Sequence, residues 1–379
     1  PDALDRLRAR LVAVVGTGTV ALNAAANRIL AEDTIAARAH PPRANAAVDG
    51  YGFAHAALGA PPHMLPLTAG AAAAGRDAGP VPSGHAIRIL TGAALPDGVD
   101  TVILEEDSTV QDGFVAFDGP VKPGSNARKA GEDLNAGDRA LAKGHRLTAP
   151  DLGLLAATGV SEVAVRAPLK VAVLSTGDEL VDPGTAAAET AIFDANRPIL
   201  LDLLGAWHHA PLDCGIAPDN RDAVRTALNA AAASSDAILT SGGASAGDED
   251  HISALMNTEG TVATWRVAMK PGRPLLMGLW QGAPVFGLPG NPVAAFVCAL
   301  MFARPALSVL AGGPWLTPHG FDVPAAFSKR KKAGRHEYLR ARMTEAGSVE
   351  VFASEGSGRI SGLSWAAGLV VLAAKARDI

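Results

Sequence analysis

Between residues 170 and 303, short apolar runs recur, each closed by a glycine- or proline-bearing turn. Lys170-Val171-Ala172-Val173-Leu174, Cys214-Gly215-Ile216-Ala217 and Ala237-Ile238-Leu239 read as buried strands. Trp265 to Met269, Leu275-Leu276-Met277 and Pro284 to Leu288 read as further strands. Amphipathic stretches lie between them. One helix starts at Asp194-Ala195-Asn196-Arg197 and runs through Leu204, and another is capped by Pro218-Asp219-Asn220 and runs through Ala233. A third opens at His251, and an apolar helix covers 293–303 with Pro292 at its first position. Strands that alternate with helices predict a three-layer, parallel-sheet α/β unit.

The rhythm differs on either side. Over 1–39, Leu4, Leu7, Leu11 and Val14-Val15 recur at helical spacing, and Val20 to Leu30 continue it, so a helical N-terminal region is expected. His40-Pro41-Pro42 ends it. From about 60 to 136 glycine, proline and valine dominate, and Ala86 to Leu90 and Thr101 to Leu104 read as strands of a β-rich insert. A helix is expected over 150–158. After Gly312-Gly313-Pro314 only short β-like runs follow, which predicts a small C-terminal β domain. The resulting division is 1–40 with 137–167 (a helical, elongated linker domain), 41–136, 168–310 and 311–379.

Composition narrows the class. The chain of 379 residues is 48% hydrophobic and carries a net charge of −5, which does not point to nucleic acid as a partner. Mean hydropathy of +0.18 comes largely from alanine and valine. The longest apolar run stops at Arg304, too short for a bilayer, so no membrane association is expected. The N-terminus is polar and amphipathic, without the pattern of a signal peptide. Two cysteines, Cys214 and Cys298, form no disulfide framework or metal spacing and read as buried thiols, which suits a cytoplasmic protein.

In an open parallel sheet, ligands bind beyond the carboxyl ends of the strands. Four loops are expected there: 175–179, 218–219, 241–250 and 287–292. The third, Ser241-Gly242-Gly243-Ala244-Ser245-Ala246-Gly247, can bring main-chain N–H groups close to an anion at a helix start. Asp248-Glu249-Asp250 follow at once. Carboxylates repel a bare phosphate, so a hard cation such as Mg2+ would reconcile the two. Lys270-Pro271-Gly272-Arg273-Pro274 adds a stiff cationic loop suited to phosphates or an oxyanion. The run Lys329-Arg330-Lys331-Lys332 reads instead as a solvated face. On local chemistry alone, Asp49 reads as a turn carboxylate. His251 and His336 lack partners at zinc-ligand spacing, and neither a Walker loop nor a nucleophile elbow is present.

Taken in order, STGDEL at 175–180, DANR at 194–197, TSGGASAGDEDH at 240–251, MKPGRP at 269–274 and GLPGNPVAAF at 287–296 resemble the molybdopterin molybdotransferase (molybdenum insertase) family, which is related to the C-terminal domain of gephyrin. The upstream segments VDGY at 48–51, RILTGA at 88–93 and RKAGED at 128–133 agree with it. Val48 stands where the family usually has Met, and Arg273 where Lys is frequent.

The resemblance implies insertion of molybdate into adenylylated molybdopterin, with Mg2+-dependent release of AMP, in an elongated homodimer whose active site lies at the dimer cleft. It implies catalytic roles for Asp250, Glu179 and Lys270, helped across the interface by Asp49 and Asp133, with Glu179 and Asp250 holding the metal. Contacts to the pterin nucleotide or molybdate are expected from Thr91, Thr176, Asp219, Ser241, Gly242, Gly243, Ser245, Gly247, Arg273, Pro289, Gly290, Asn291 and Pro292. Expected protein partners are the molybdopterin adenylyltransferase and molybdoenzyme-maturation proteins. The competing readings are a molybdopterin adenylyltransferase, disfavoured by the long N-terminal extension, and a non-catalytic molybdopterin-binding scaffold, disfavoured by Glu179, Asp250 and Lys270.

Overall fold

The structure is a computed structural model that describes every residue except 1–4, 6, 187, 243–250 and 273. Its first regular strand, β1 (Thr17–Ala21), lies inside the region expected to be helical. A 3-10 turn at Leu22–Ala24 follows, and Thr34–Ile35 is again extended. β-branched Thr17, Thr19 and Val20 suit a strand, and a partner is at hand. The apolar spacing that reads as a helix instead places Ala25 and Leu30 against Leu147, Leu155, Val163 and Val165.

Next comes a six-stranded sheet. β2 (Gly50–Phe53) lies between β4 (Ala86–Ile89) and β5 (Thr101–Leu104), and β3 (His63–Ala72) continues the sheet to β6 (Thr109–Gln111) and β7 (Phe114–Phe117). Gly50 is obligatory here, because a Cβ on it would stand 1.9 Å from the carbonyl oxygen of Ile103. Helix α1 (Ala149–Ala157) matches the expected helix, and a capping box of Thr148 and Asp151 starts it. It leads to β8 (Glu162–Arg166), which pairs antiparallel with β1 and so ties together two segments far apart in the sequence.

The central unit follows as β9 (Lys170–Thr176), α2 (Asn196–Ala206), β10 (Ala210–Ala217), α3 (Arg221–Ser234), β11 (Ala237–Ser241) and α4 (His251–Thr258). It continues with β12 (Thr261–Arg266), β13 (Met269–Lys270), β14 (Pro274–Trp280) and β15 (Ala283–Leu288). The strand order is β10-β9-β11-β15-β14-β12. The first four strands are parallel, β14 runs antiparallel to both of its neighbours, and β12 at the edge points with the first four again, so the sheet is mixed. Helices cover both faces. Leu200 and Leu204 of α2 pack on Val171, Val173 and Leu239, while Val224 and Leu228 of α3 pack on Ala172, Leu174 and Ile238 from the other side. That alternation along each strand is the period of two that a sheet buried on both faces requires.

The apolar helix is longer than its sequence suggests. α5 (Pro292–Cys298) passes through a π-helical turn, Ala299–Ala303, into α6 (Arg304–Leu310). The wider turn lets Pro305 sit within the rod, where its missing N–H and its ring interrupt the ordinary ladder. The 19-residue rod is apolar and long enough to cross a membrane, but 72% of its most apolar window is buried inside the protein. Cys298 is wholly buried, and burial pushes its thiol up to about 12.

Residues beyond α6 form a second small sheet of β16 (His336–Met343), β17 (Val349–Val351) and β18 (Gly368–Leu372). β13 joins this sheet, with Lys270 opposite Glu337, rather than the central one. The run expected as one strand over 265–269 is thus split between two sheets. The basic run 329–332 is a solvated face only in part, through exposed Arg330 and Lys332. Lys329 pairs with Glu337 and Glu355, and Lys331 is buried with its ammonium donating to the carbonyls of Lys332 and Lys375. Carbonyls and carboxylates of the closing sheet replace the water those lysines lose.

His209, after α2, is buried with Nδ1 unpartnered among the described residues, and burial, then Arg146, then His208 lower it from 6.5 to about 4. Its folded value lies below the unfolded one, so its contribution to stability is complete above pH 6.5 and is lost as pH falls towards 4. Thermal melts across that window should lose on the order of 2 kcal/mol more in the wild type than in a His209→Gln variant. Parallel pH profiles for the two proteins are the contrary result.

Candidate active site

The parallel register sets the site. Ser175 of β9 lies opposite Ser241 of β11, Ser241 opposite Leu288 of β15, and Thr176 opposite Ala217 of β10. The loops that leave these four ends therefore leave side by side. α3 and α5 each start just beyond one of these strand ends, so the positive ends of their dipoles gather along the same edge.

Contacts between loops fix their positions. The Gly242 N–H donates to the Leu288 carbonyl at 3.2 Å. Gly242 has φ +90°, and a Cβ there would stand 3.1 Å from the Thr176 carbonyl oxygen, so only glycine lets the loop turn this closely over β9. Asn196, at the start of α2 and 7% exposed, donates through Nδ2 to Ser241 Oγ and to the Gly290 carbonyl, both at 2.7 Å. One buried amide thus holds the serine-glycine loop to the Pro289-Gly290-Asn291-Pro292 loop. Its Oδ1 is buried without a partner among the described residues, as is Ser175 Oγ. The start of α2 is itself fixed, because buried Asp194 accepts from the N–H groups of Asn196 and Arg197. Arg197 also spans Asp182, Asp194 and Asp213. The sequence marks the 194–197 segment as a helix start, but nothing in its spacing shows that Asn196 reaches two other loops.

Two adjacent carboxylates divide their work. Asp178 accepts the Asp219 N–H at 2.8 Å, which joins the loops after β9 and β10. Glu179 is exposed; its main-chain carbonyl accepts the Ile192 N–H, but its carboxylate makes no hydrogen bond or ion pair with a described residue. Its carboxylate folds back over Gly177, where a Cβ would meet it at 2.6 Å. A carboxylate unpaired among the described residues, with hard oxygen donors at an edge of helix N-termini, suits a divalent cation.

Lys270 reaches the edge of this region. Gly272 packs against α5, where a Cβ would stand 2.6 Å from Cys298 Sγ. Lys270 Nζ donates to Glu355 Oε2 at 2.7 Å, and Lys329 Nζ takes the other oxygen. The two lysines, Glu355, Arg340, Tyr338 and Phe352 line a cavity of about 310 Å³ between α5 and the C-terminal sheet. Arg340, 4% exposed, donates to the carbonyls of Ser354, Gly356 and Arg359, which shapes the loop that carries Glu355. The first turn of α5 touches the same loop, through the Val293 N–H to the Ser357 carbonyl.

A second cluster lies on the insert sheet. Asp49 Oδ1 accepts from both the Oγ1 and the N–H of Thr91 at 2.6 Å. Those two bonds, with Arg88 nearby, hold the Asp49 carboxyl below its usual range. Asp133 is exposed, on the loop whose N–H groups pair with His40. No hydrogen bond or ion pair joins Asp49, Thr91 or Asp133 to the loops of the central sheet among the described residues. Thr176, Glu179, Asp219, Ser241, Gly242, Pro289, Gly290, Asn291 and Pro292 are thus gathered on one edge, and the three insert residues belong to other elements. Gly243, Ser245, Gly247, Asp250 and Arg273 lie outside the described residues.

Three family descriptions match successive parts of the chain: "MoeA N-terminal region (domain I and II)" over 1–159, "Probable molybdopterin binding domain" over 172–309, and "MoeA C-terminal region (domain IV)" over 322–379. The molybdopterin molybdenumtransferase of Haemophilus influenzae is 38% identical over 338 residues, which span 87% of this chain and 82% of that protein. Gephyrin of Dictyostelium discoideum is 33% identical over 257 residues, 60% of this chain and 36% of its own. The crystal structure of a molybdopterin biosynthesis MoeA protein from Pyrococcus horikoshii covers 100% of this chain and 97% of its own, with a TM-score of 0.82 at 26% identity.

Proposed function

The chain belongs to the MoeA family of molybdopterin molybdenumtransferases, and on that premise we propose that it inserts molybdate into adenylylated molybdopterin with Mg2+-dependent release of AMP. It is a transferase of molybdenum cofactor biosynthesis that acts on molybdopterin. The observation that carries the finer reading is the alignment of four strand ends with the Asn196 bridge between two of their loops. Such an edge presents N–H groups and helix dipoles to a phosphate-bearing ligand, with a carboxylate close by.

In this reading the loop from Ser241 holds the terminal phosphate of the pterin. Glu179 and Asp250 would hold Mg2+, which when bound neutralises charge on the phosphoanhydride. Lys270 and Arg273 attract molybdate or the phosphates. That Asp49, Thr91 and Asp133 belong to other elements supports a homodimer in which the insert of one copy faces the loops of the other. The antiparallel pairing of β1 with β8 supports the division into 1–40 with 137–167, 41–136, 168–310 and 311–379. Work in the cytoplasm, beside the adenylyltransferase that makes the substrate, belongs to the same reading.

The test is AMP release from adenylylated molybdopterin and Mg2+, with and without molybdate. Release that depends on molybdate is expected. Release indifferent to molybdate, or formation of adenylylated molybdopterin from ATP, would transfer the chain to a different step.

A further inference from the structure

The cavity beside Lys270 carries an opposing charge in its wall. Glu355 stands between two lysines, with one carboxylate oxygen on Lys270 and the other on Lys329, and Lys329 also pairs with Glu337 at 3.1 Å. Arg340 pins the Glu355 loop by three of its carbonyls, so the fold places this residue beside both lysines. The cavity walls include Ser354, Tyr338 and Phe352, and about 310 Å³ leaves room for an ion larger than water. An oxyanion that approaches Lys270 therefore meets an ammonium already neutralised, with a negative charge beside it.

We propose that Glu355 is an affinity-setting residue of the oxyanion site, an internal competitor that a tetrahedral dianion must displace from Lys270 and Lys329. This deepens the reading of Lys270 as an oxyanion-attracting residue and rests on it. No covalent step is involved: the carboxylate gives up its two ammonium partners and the dianion takes them. Only an anion of sufficient charge recovers what the broken pairs release, so the device favours dianions over chloride or acetate. Burial raises the Glu355 carboxyl, but the hydrogen bonds from Lys270 and Lys329 outweigh it and keep the group below its usual range, so the competitor stays charged at neutral pH. Lys329 is shifted the opposite way, its loss of water outweighed by Glu355 and Glu337.

The experiment is calorimetric titration of the full chain with sodium molybdate and, separately, sodium sulfate, at constant ionic strength. The proteins are wild type, Glu355→Gln, Lys270→Ala, the double variant and Glu350→Gln. Glu350 pairs with Arg342 outside the cavity, so its replacement removes the same charge elsewhere. Glu355→Gln should bind molybdate on the order of tenfold more tightly than wild type, an amount within reach of one partly buried charge. Glu350→Gln should not, and Lys270→Ala should cancel the gain. Unchanged or weaker binding by a folded Glu355→Gln protein, with Lys270→Ala still harmful, overturns the role of Glu355 alone. Binding that ignores Lys270→Ala, or no binding to any of the proteins, overturns the Lys270 reading and this inference with it. Far-UV dichroism of each variant excludes unfolding as the source of a loss.

Discussion

Glu179→Gln is expected to retain affinity for adenylylated molybdopterin but to release AMP roughly 10² to 10³ times more slowly than wild type. Of the two neighbouring carboxylates, Asp178 is already engaged with the Asp219 N–H, whereas the Glu179 carboxylate has no partner among the described residues and lies folded over Gly177. An amide keeps the shape and loses the charge, so binding through loop N–H groups survives and charge compensation at the phosphoanhydride does not. Single-turnover AMP release measured against Mg2+ concentration separates the two. The variant should need more Mg2+ for half-maximal rate as well as turning over more slowly. A variant with the wild-type rate and the wild-type Mg2+ dependence takes Glu179 out of the chemistry.

Asn196→Ala should cost about a hundredfold in kcat, the scale of loss expected when groups around a reacting centre shift by about an ångström. It should also lower stability by about 2 kcal/mol, because the Gly290 carbonyl loses a buried donor. Two loops now held to one amide, through Ser241 Oγ and the Gly290 carbonyl, would then move independently. Asn196→Asp should not rescue activity, since a carboxylate oxygen would face that carbonyl oxygen in place of an N–H. Chemical denaturation gives the stability arm and steady-state AMP release, well below the melting temperature, gives the other. Full activity of a less stable Ala variant would reduce Asn196 to an element of the fold.

Local pattern carried the central unit well. Apolar runs at 170–174 and 237–239, each ended by small residues, could only be strands with a loop at the carboxyl end, and Asn220 does cap α3 through the Ala223 N–H. It carried the N-terminal region poorly, because β1 depends on β8, more than 140 residues away, and spacing of three or four does not distinguish a helix from a turn that feeds a remote partner. The apolar rod extends past Arg304, where the apolar run ends, because one charge does not stop a helix, and the π turn that accommodates Pro305 shows only in the backbone.

By itself the sequence determined the chemistry at hand. It supplied glycines where the chain must turn over β9, carboxylates and cations on adjacent loops, and strand-helix alternation that puts those loops at one end of a sheet. Only the tertiary structure decided how these groups are spent. Asp178 holds a neighbouring loop while the Glu179 carboxylate is unpaired among the described residues, Asn196 ties two loops together, Lys270 joins the C-terminal sheet and faces Glu355, and the Asp49–Thr91 pair stands on a separate sheet. The physical reason is that residue type and spacing fix what a side chain is able to donate or accept. Its partner is set by register and packing between segments far apart in the chain, which no local period encodes.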